Sequence, residues 1–262
     1  MLATPWFLPF KPNPEADLRL FCFPYAGGSS TVFHRWHDYL PAHVEVCPVQ
    51  LTGRGRRLGE QPYTRLPPLV QDAAQGLLPH LEKPFAFFGH SMGALICFEI
   101  ARWLRNQGQC EPLHLFVSGR RAPQLPPTDP ATFNLPDEEF VEELRRLNGT
   151  PQELFLNDEL MQLMMPLLRA DFELVQTYAC NAEPPLTCPI SAFGGLHDEK
   201  EVREDIDRWR EQTTASFLLR MFPGDHFYLN SALPQLLGAM AQELWRYRGA
   251  RLRWNMNAHR WE

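Results

Sequence analysis

Residues 85–108 hold the pattern that most restricts what this chain can fold into. Four apolar residues in a row, Phe85 to Phe88, read as a short strand covered on both faces. They run directly into Gly89-His90-Ser91-Met92-Gly93, and from Gly93 a strong helical pattern lasts to Asn106 and is closed by Gly108. A strand that becomes a helix within so few residues must turn sharply at Ser91. Such a turn exposes the serine hydroxyl at its crest, and glycine on either side leaves room for strand and helix to pack closely. The helix that starts there also aims unpaired backbone N–H groups at any negative charge forming beside Ser91. The five letters alone are weak evidence; their place between strand and helix carries the weight.

A similar alternation runs through the first half of the chain. Residues 18–23, 44–51 and 113–118 read as strands, and residues 31–40 and 66–81 as helices, with Pro67 and Pro68 suited to a helix start. This order predicts an α/β fold with a mostly parallel central sheet flanked by helices and joined by right-handed crossovers. The rhythm breaks at the proline-rich residues 121–129, after which residues 136–178 are helical in pattern. Strands return at 189–193 and 216–222, with helices at 201–212 and 232–247. The sheet does not need an all-helical stretch between its halves, so residues from about 124 to 182 are expected to form a lid insertion that shapes a pocket. One domain is expected over residues 1–262. Residues 248–262 mix arginine and tryptophan without periodicity and are expected to be a mobile C-terminal tail.

Bulk properties narrow the function. A net charge of −6 leaves no basic footprint for nucleic acid. No run approaches the roughly eighteen apolar residues of a membrane span, and residues 1–11 lack the basic and apolar regions of a signal peptide. The six cysteines show no Cys-x-x-Cys spacing and read as reduced thiols rather than a disulfide framework or zinc site. A cytoplasmic monomer with no metal and no cofactor of its own is the expectation.

A serine at such a turn needs a base to take its proton and an acid to orient the base. In the α/β-hydrolase fold, to which a Gly-x-Ser-x-Gly elbow of this kind points, the acid and then the histidine follow the serine along the chain. Of the histidines after Ser91, His114 begins an interior strand and His259 lies in the tail. His226, in Pro223-Gly224-Asp225-His226-Phe227, directly follows the last strand and is the expected base. His197 lies in Gly194-Gly195-Leu196-His197-Asp198, the loop that should carry the acid, and Asp198 is the expected acid. Glu199 and Glu201 stay open as substitutes, while Asp225 adjoins the base and is disfavoured. Two backbone donors are expected for a tetrahedral oxyanion: the N–H of Met92, and that of Ala26, with Tyr25 as the alternative, in the loop Pro24-Tyr25-Ala26-Gly27-Gly28-Ser29.

Other features are weaker. Gly53-Arg54-Gly55-Arg56-Arg57 has the wrong spacing for a dinucleotide turn and is expected to be a mobile basic loop, or alternatively a contact for an anionic partner. His34, His37 and Asp38 resemble a metal cluster, but a surface or packing role is expected. Met161, Met164 and Met165 sit on a helix apolar nearly all round and broken by Pro166. Core packing is the default for them. The functional alternative makes them, with Tyr25 and Phe227, the walls of an acyl pocket.

On these residues the chain resembles the type II thioesterases, the stand-alone editing hydrolases of polyketide and non-ribosomal peptide assembly lines. The resemblance extends from Leu20 to about Trp245. It rests on Phe23-Pro24-Tyr25-Ala26-Gly27-Gly28, the Gly53-Arg54 loop, Gly89-His90-Ser91-Met92-Gly93 and Gly224-Asp225-His226-Phe227. Within the insertion it rests on Leu135-Pro136-Asp137, Gly149-Thr150-Pro151 and Leu168-Arg169-Ala170-Asp171-Phe172. It departs at Asn148, where glycine is expected, and at His197 before the acid. What it implies is hydrolysis of stalled or aberrant acyl thioesters on the phosphopantetheine arm of acyl or peptidyl carrier protein domains, by way of an acyl-enzyme. A small-molecule carboxylesterase or lipase would use the same three residues. A non-catalytic carrier-binding module is a further alternative, against which the intact Ser91, Asp198 and His226 argue.

Overall fold

Six strands, β1 (Leu18–Phe23), β2 (Val44–Pro48), β3 (Phe85–His90), β4 (Leu115–Ser118), β5 (Ile190–Gly195) and β6 (Phe217–Phe222), form one sheet in the order β2-β1-β3-β4-β5-β6. Every neighbouring pair is parallel. This computed structural model describes residues 5–7, 9–128, 130–147, 149, 152–251 and 254, without the side chains of Gln152 and Glu153. Its helices are α1 (Leu66–Leu77), α2 (Met92–Asn106), α3 (Asp137–Leu147), α4 (Gln152–Phe155), α5 (Asp158–Gln176), α6 (Arg203–Asp207), α7 (Tyr228–Ser231) and α8 (Leu233–Leu244).

Alternate side chains along each strand serve two different cores, as the two-residue period of a strand requires. Phe21, Phe23, Phe85, Phe87, Leu115 and Val117 pack with α1 and α2 on one face. Leu18, Leu20, Cys22, Ala86, Phe88 and Phe116 pack on the other with α8, Phe33 and Trp36. Burial of both faces explains why Leu20–Phe23 and Phe85–Phe88 read as unbroken apolar runs. Each buried phenylalanine contributes about 2–3 kcal/mol relative to exposure.

Several elements differ from expectation. Residues 31–40 form two short 3-10 turns, Ser30–Phe33 and Trp36–Asp38; only Phe33, Trp36 and Leu40 are buried there, too narrow an apolar face to hold a helix of three turns. The helical pattern of 136–178 divides into α3, α4 and α5, and Asn157 starts the last by accepting the Leu160 N–H at 3.0 Å. Pro166 does not break α5, because buried Met161, Leu167, Leu168 and Leu174 hold the helix on either side of the lost hydrogen bond. Nor is α5 buried all round: Leu160 and Leu163 are exposed. The described part of the expected tail packs against the body of the protein. Gly249 donates its N–H to Asp17 at 2.8 Å, Ala250 is buried and the Trp254 ring lies 6.1 Å from that of Phe85. Residues 252–253 and 255–262 lie outside the described residues, as do Asn148, Thr150 and Pro151 from the family-like motifs.

Because β1 lies between β2 and β3, the chain leaves β1 toward one side of the sheet and later returns on the other. The loops after β1 and β3 therefore open a crevice at the carboxyl ends of the strands. At that point α2 is pressed against β1. A Cβ on Gly93 would lie 2.1 Å from the Phe23 carbonyl oxygen, and one on Gly89 would lie 2.1 Å from that of Gly93. These are backbone atoms that no side-chain rotation can clear. Gly93→Ala should lower stability by about 3 kcal/mol or more, a fall in Tm of roughly 6–12 °C. Gly59→Ala, where a Cβ meets nothing within 4 Å, should leave Tm close to the parent. Thermal melts of the two variants check the contrast.

Candidate active site

Ser91 sits at φ 54° and ψ −111°, the one non-glycine residue with positive φ among the described residues. Such a conformation costs on the order of 1–3 kcal/mol and persists only where the surroundings over-determine it. Here Ser91 N–H donates to the Ser118 carbonyl of β4 at 2.7 Å, and Ser91 O accepts from Ala94 N–H at 3.0 Å. Met92 is the first residue of α2; its side chain is buried, and its N–H is one of those a helix start leaves without an intrahelical partner.

His226 Nδ1 and Asp198 Oδ2 are 2.6 Å apart. The other Asp198 oxygen accepts the N–H groups of Lys200 and Glu201, each at 3.1 Å. Burial pushes the Asp198 carboxyl up, but the hydrogen bond and charge of His226 and those two N–H groups outweigh it and hold the acid below the usual carboxylate range. With Nδ1 donating to the carboxylate, a neutral ring presents Nε2 as a proton acceptor. The two loops are stitched by their backbones: Leu196 N–H donates to Phe222 O at 2.8 Å and His197 N–H to Gly224 O at 2.9 Å. Gly195 permits this approach, since a Cβ there would lie 2.3 Å from Asp225 O. The other acids are placed elsewhere. Glu199 is exposed, Glu201 binds Arg120 at 3.3 Å and the Arg121 N–H at 2.8 Å, and Asp225 accepts the Phe227 N–H at 2.8 Å. The His197 side chain is exposed.

Behind this pair lies a polar group that sequence reasoning passed over. His90 is fully buried, its ring 5.2 Å from that of His226, and burial together with the neighbouring imidazole pushes its pKa far below the ordinary histidine value. Its Nδ1 meets Ser118 Oγ at 2.9 Å, and that hydroxyl meets Tyr228 OH at 2.5 Å. A neutral ring there adds bulk but no charge behind His226.

In the loop after β1, Gly27 N–H is donated to Asp171 at 2.7 Å and Gly28 N–H to the Tyr25 carbonyl at 2.9 Å. Neither amide is available to an oxyanion, which leaves those of Tyr25 and Ala26. Asp171 also forms a bidentate pair with Arg54, and both are buried. This corrects the expectation of a mobile basic loop at 53–57: Arg54 lies inside the protein, and Arg57, also buried, pairs with Glu60 at 2.6 Å and covers the Trp6 ring at 4.2 Å. His34, His37 and Asp38 form no metal-binding group among the described residues.

Ser91 and His226 line one cavity of about 470 Å³, together with Tyr25, Ala26 and Phe227. The insertion adds Leu144, Leu147, Leu168, Phe172 and Val175 to its apolar lining, and charged side chains such as Arg120, Arg146 and Lys200 also border it. The methionines take the default core-packing role, and the alternative of a methionine wall to the cavity is corrected. Met161, Met164 and Met165 pack with Phe140, Leu144 and Leu154 inside the insertion's own small core and do not line the cavity. The apolar stripe of α5 continues from these methionines through Leu168, Phe172 and Val175, but α3 and α4 cover its first half and only the second half faces the cavity.

Residues 18–244 match the family described as the thioesterase domain. A protein named linear gramicidin dehydrogenase LgrE, from Brevibacillus parabrevis, is 47% identical over 245 residues, covering 92% of this chain and 93% of that protein. The solved structure of the type II thioesterase BorB from the borrelidin biosynthetic cluster superposes with a TM-score of 0.84 at 36% identity, covering 93% of this chain and 99% of that one. YbtT, a type II thioesterase from the yersiniabactin NRPS/PKS biosynthetic pathway, gives a TM-score of 0.83 at 30% identity, covering 92% and 99%.

The hydrogen-bonding pattern predicts how the nearby acids differ. Asp198→Asn should lower kcat for acyl ester or thioester hydrolysis by roughly 10³- to 10⁴-fold, because an amide favours the wrong imidazole tautomer and cannot stabilise the imidazolium. Glu199→Gln should change kcat less than about twofold, consistent with an exposed side chain. Steady-state rates of the two variants against the parent make the comparison.

Proposed function

The chain belongs to the thioesterase family, and on that premise we propose that it frees stalled or wrongly loaded phosphopantetheine arms of acyl or peptidyl carrier domains by hydrolysing their thioesters. The observation that carries this reading is the cavity that Ser91 and His226 share with apolar side chains of the insertion, the lid of this enzyme. Its volume, about 470 Å³, is that of an ordinary ligand pocket and leaves room for an acyl group beside Leu144, Leu168 and Phe172. The NRPS/PKS pathway named for YbtT supports carrier domains as the partners, and the six free cysteines suit a cytoplasmic enzyme.

In the mechanism His226 Nε2 takes the Ser91 proton as the hydroxyl oxygen attacks the thioester carbonyl. Asp198, its carboxyl held below the usual carboxylate range, is ionised at neutral pH and stabilises the imidazolium. The N–H groups of Ala26 and Met92 stabilise the oxyanion. Collapse of the tetrahedral intermediate breaks the carbon–sulfur bond, and the proton on His226 leaves with the pantetheine thiol. Water, deprotonated by the same imidazole, then hydrolyses the Ser91 ester and regenerates the hydroxyl. The sequence contains no Gly-x-Gly-x-x-Gly turn, and the dehydrogenase in one relative's name is not carried over to this chain.

Intact-mass analysis of carrier proteins bearing different acyl groups tests the proposal. The parent should regenerate the free thiol form, and Ser91→Ala should slow this by at least about 10³-fold while melting like the parent. Hydrolysis of small acyl esters with no turnover of acyl carriers would favour a carboxylesterase instead. Phe172→Trp should shift preference toward shorter acyl chains by narrowing the cavity, whereas Met164→Trp should lower Tm and leave the ratio of kcat/KM for short and long chains unchanged.

A further inference from the structure

We infer that Asp171 is a positioning residue for the oxyanion hole, and that through it α5 couples the acyl cavity to the donor loop after β1. The inference rests on the proposed roles of Ser91 and Ala26. Asp171 Oδ2 accepts Gly27 N–H at 2.7 Å and Arg54 Nη1 at 2.9 Å, while Oδ1 accepts Arg54 Nη2 at 2.7 Å. Arg54 Nη1 also donates to Gly28 O at 3.0 Å, and Nε donates to Thr52 O at 3.2 Å. Asp171 is 2% exposed and Arg54 4%. Drawing two charges out of water is costly even when they pair well, so a buried bidentate pair is a poor source of stability and an effective way to fix geometry. What it fixes here is the peptide between Ala26 and Gly27, adjoining the Ala26 amide.

A second contact joins the same parts. Leu168, one turn before Asp171, packs on Gly27 so closely that a Cβ there would lie 2.7 Å from Leu168 Cδ2. Gly27 has φ 75°, a conformation suited to glycine. Leu168 and Phe172 also line the cavity, so the turn of α5 that meets the acyl chain is the turn that holds the donor loop. An acyl chain packed against these two side chains keeps α5 seated, and with it the Asp171 acceptor on Gly27. Moving α5 outward would withdraw that acceptor and leave Arg54 buried without its carboxylate. A well-fitting acyl group therefore gains in kcat as well as in binding, because the interaction it secures acts on the oxyanion.

The test uses the full chain, N-acetylcysteamine thioesters of short and long acyl groups, an acyl trifluoromethyl ketone as tetrahedral analogue and an uncleavable acyl thioether as substrate mimic. Asp171→Asn removes the charge at constant shape. The double variant Arg54→Met with Asp171→Leu removes both charges and leaves none unpaired. Folded preparations, confirmed by Tm, should lose kcat on the order of 10- to 100-fold, the range expected when an oxyanion donor is misplaced. Thioether affinity should stay within about twofold, while trifluoromethyl ketone affinity falls in step with kcat/KM. The gain in kcat from short to long chains should shrink in both variants. A folded double variant with parental kcat, or equal losses of thioether and ketone affinity, would overturn the inference. Activity surviving in Ser91→Ala would instead overturn the underlying reading of the site.

Discussion

The strained backbone of Ser91 is possible only because β1, β3 and the start of α2 are forced into contact around it. Gly93 lets α2 rest on the Phe23 carbonyl at the end of β1, and Gly89 lets β3 pass beneath Gly93. The Ser118 carbonyl of β4 then accepts the Ser91 N–H. Burial offsets the strain: Met92 to Phe98 of α2 are all buried, and the neighbouring strands are dense with phenylalanine. The end of β1 is thereby tied to the nucleophile, and the loop that follows it is bound to run beside Ser91.

The acid and the base depend on a different set of contacts. Their loops follow β5 and β6, which are paired in register to Gly195 and Phe222, and the backbone bonds of Leu196 and His197 carry that pairing past the strand ends. Asp198 and His226 are thus set by the sheet itself, with the buried His90 ring behind the imidazole. The insertion adds none of these groups. It supplies the apolar side of the cavity and meets the sheet's loops at a few points, Arg54 with Asp171, Leu168 against Gly27, and Gly149, where a Cβ would strike the Phe227 ring at 2.2 Å. The proposed nucleophile, acid and base rest on rigid strands, whereas the loop after β1 is held in part by α5 of the helical layer that also lines the cavity.

What the amino-acid sequence determined alone is local. Apolar runs such as Phe85 to Phe88 marked strands because both faces of a parallel sheet are buried. Glycines at 89 and 93 marked the elbow, and Gly108, at φ 67°, marked the end of α2 where the chain must turn left-handed. Chain order and position after a strand singled out Asp198 and His226, which the fold brings to 2.6 Å. The short 3-10 turns after β1 were harder, since three buried side chains in ten residues leave the helical period ambiguous.

What only the tertiary structure decided concerns what covers each residue. Arg54, in a glycine-flanked basic stretch, reads as solvated until Asp171, 117 residues away, arrives to neutralise it. Met161, Met164 and Met165 belong to the same apolar stripe as Leu168 and Phe172, and periodicity cannot separate them. The packing of α3 and α4 covers the first half of that stripe and leaves the second half open to the cavity. Periodicity and turn chemistry are properties of neighbouring residues and can be read along the chain. Burial of a charge, or exposure of one half of a helix face, depends on partners distant in sequence, and only the folded chain brings them together.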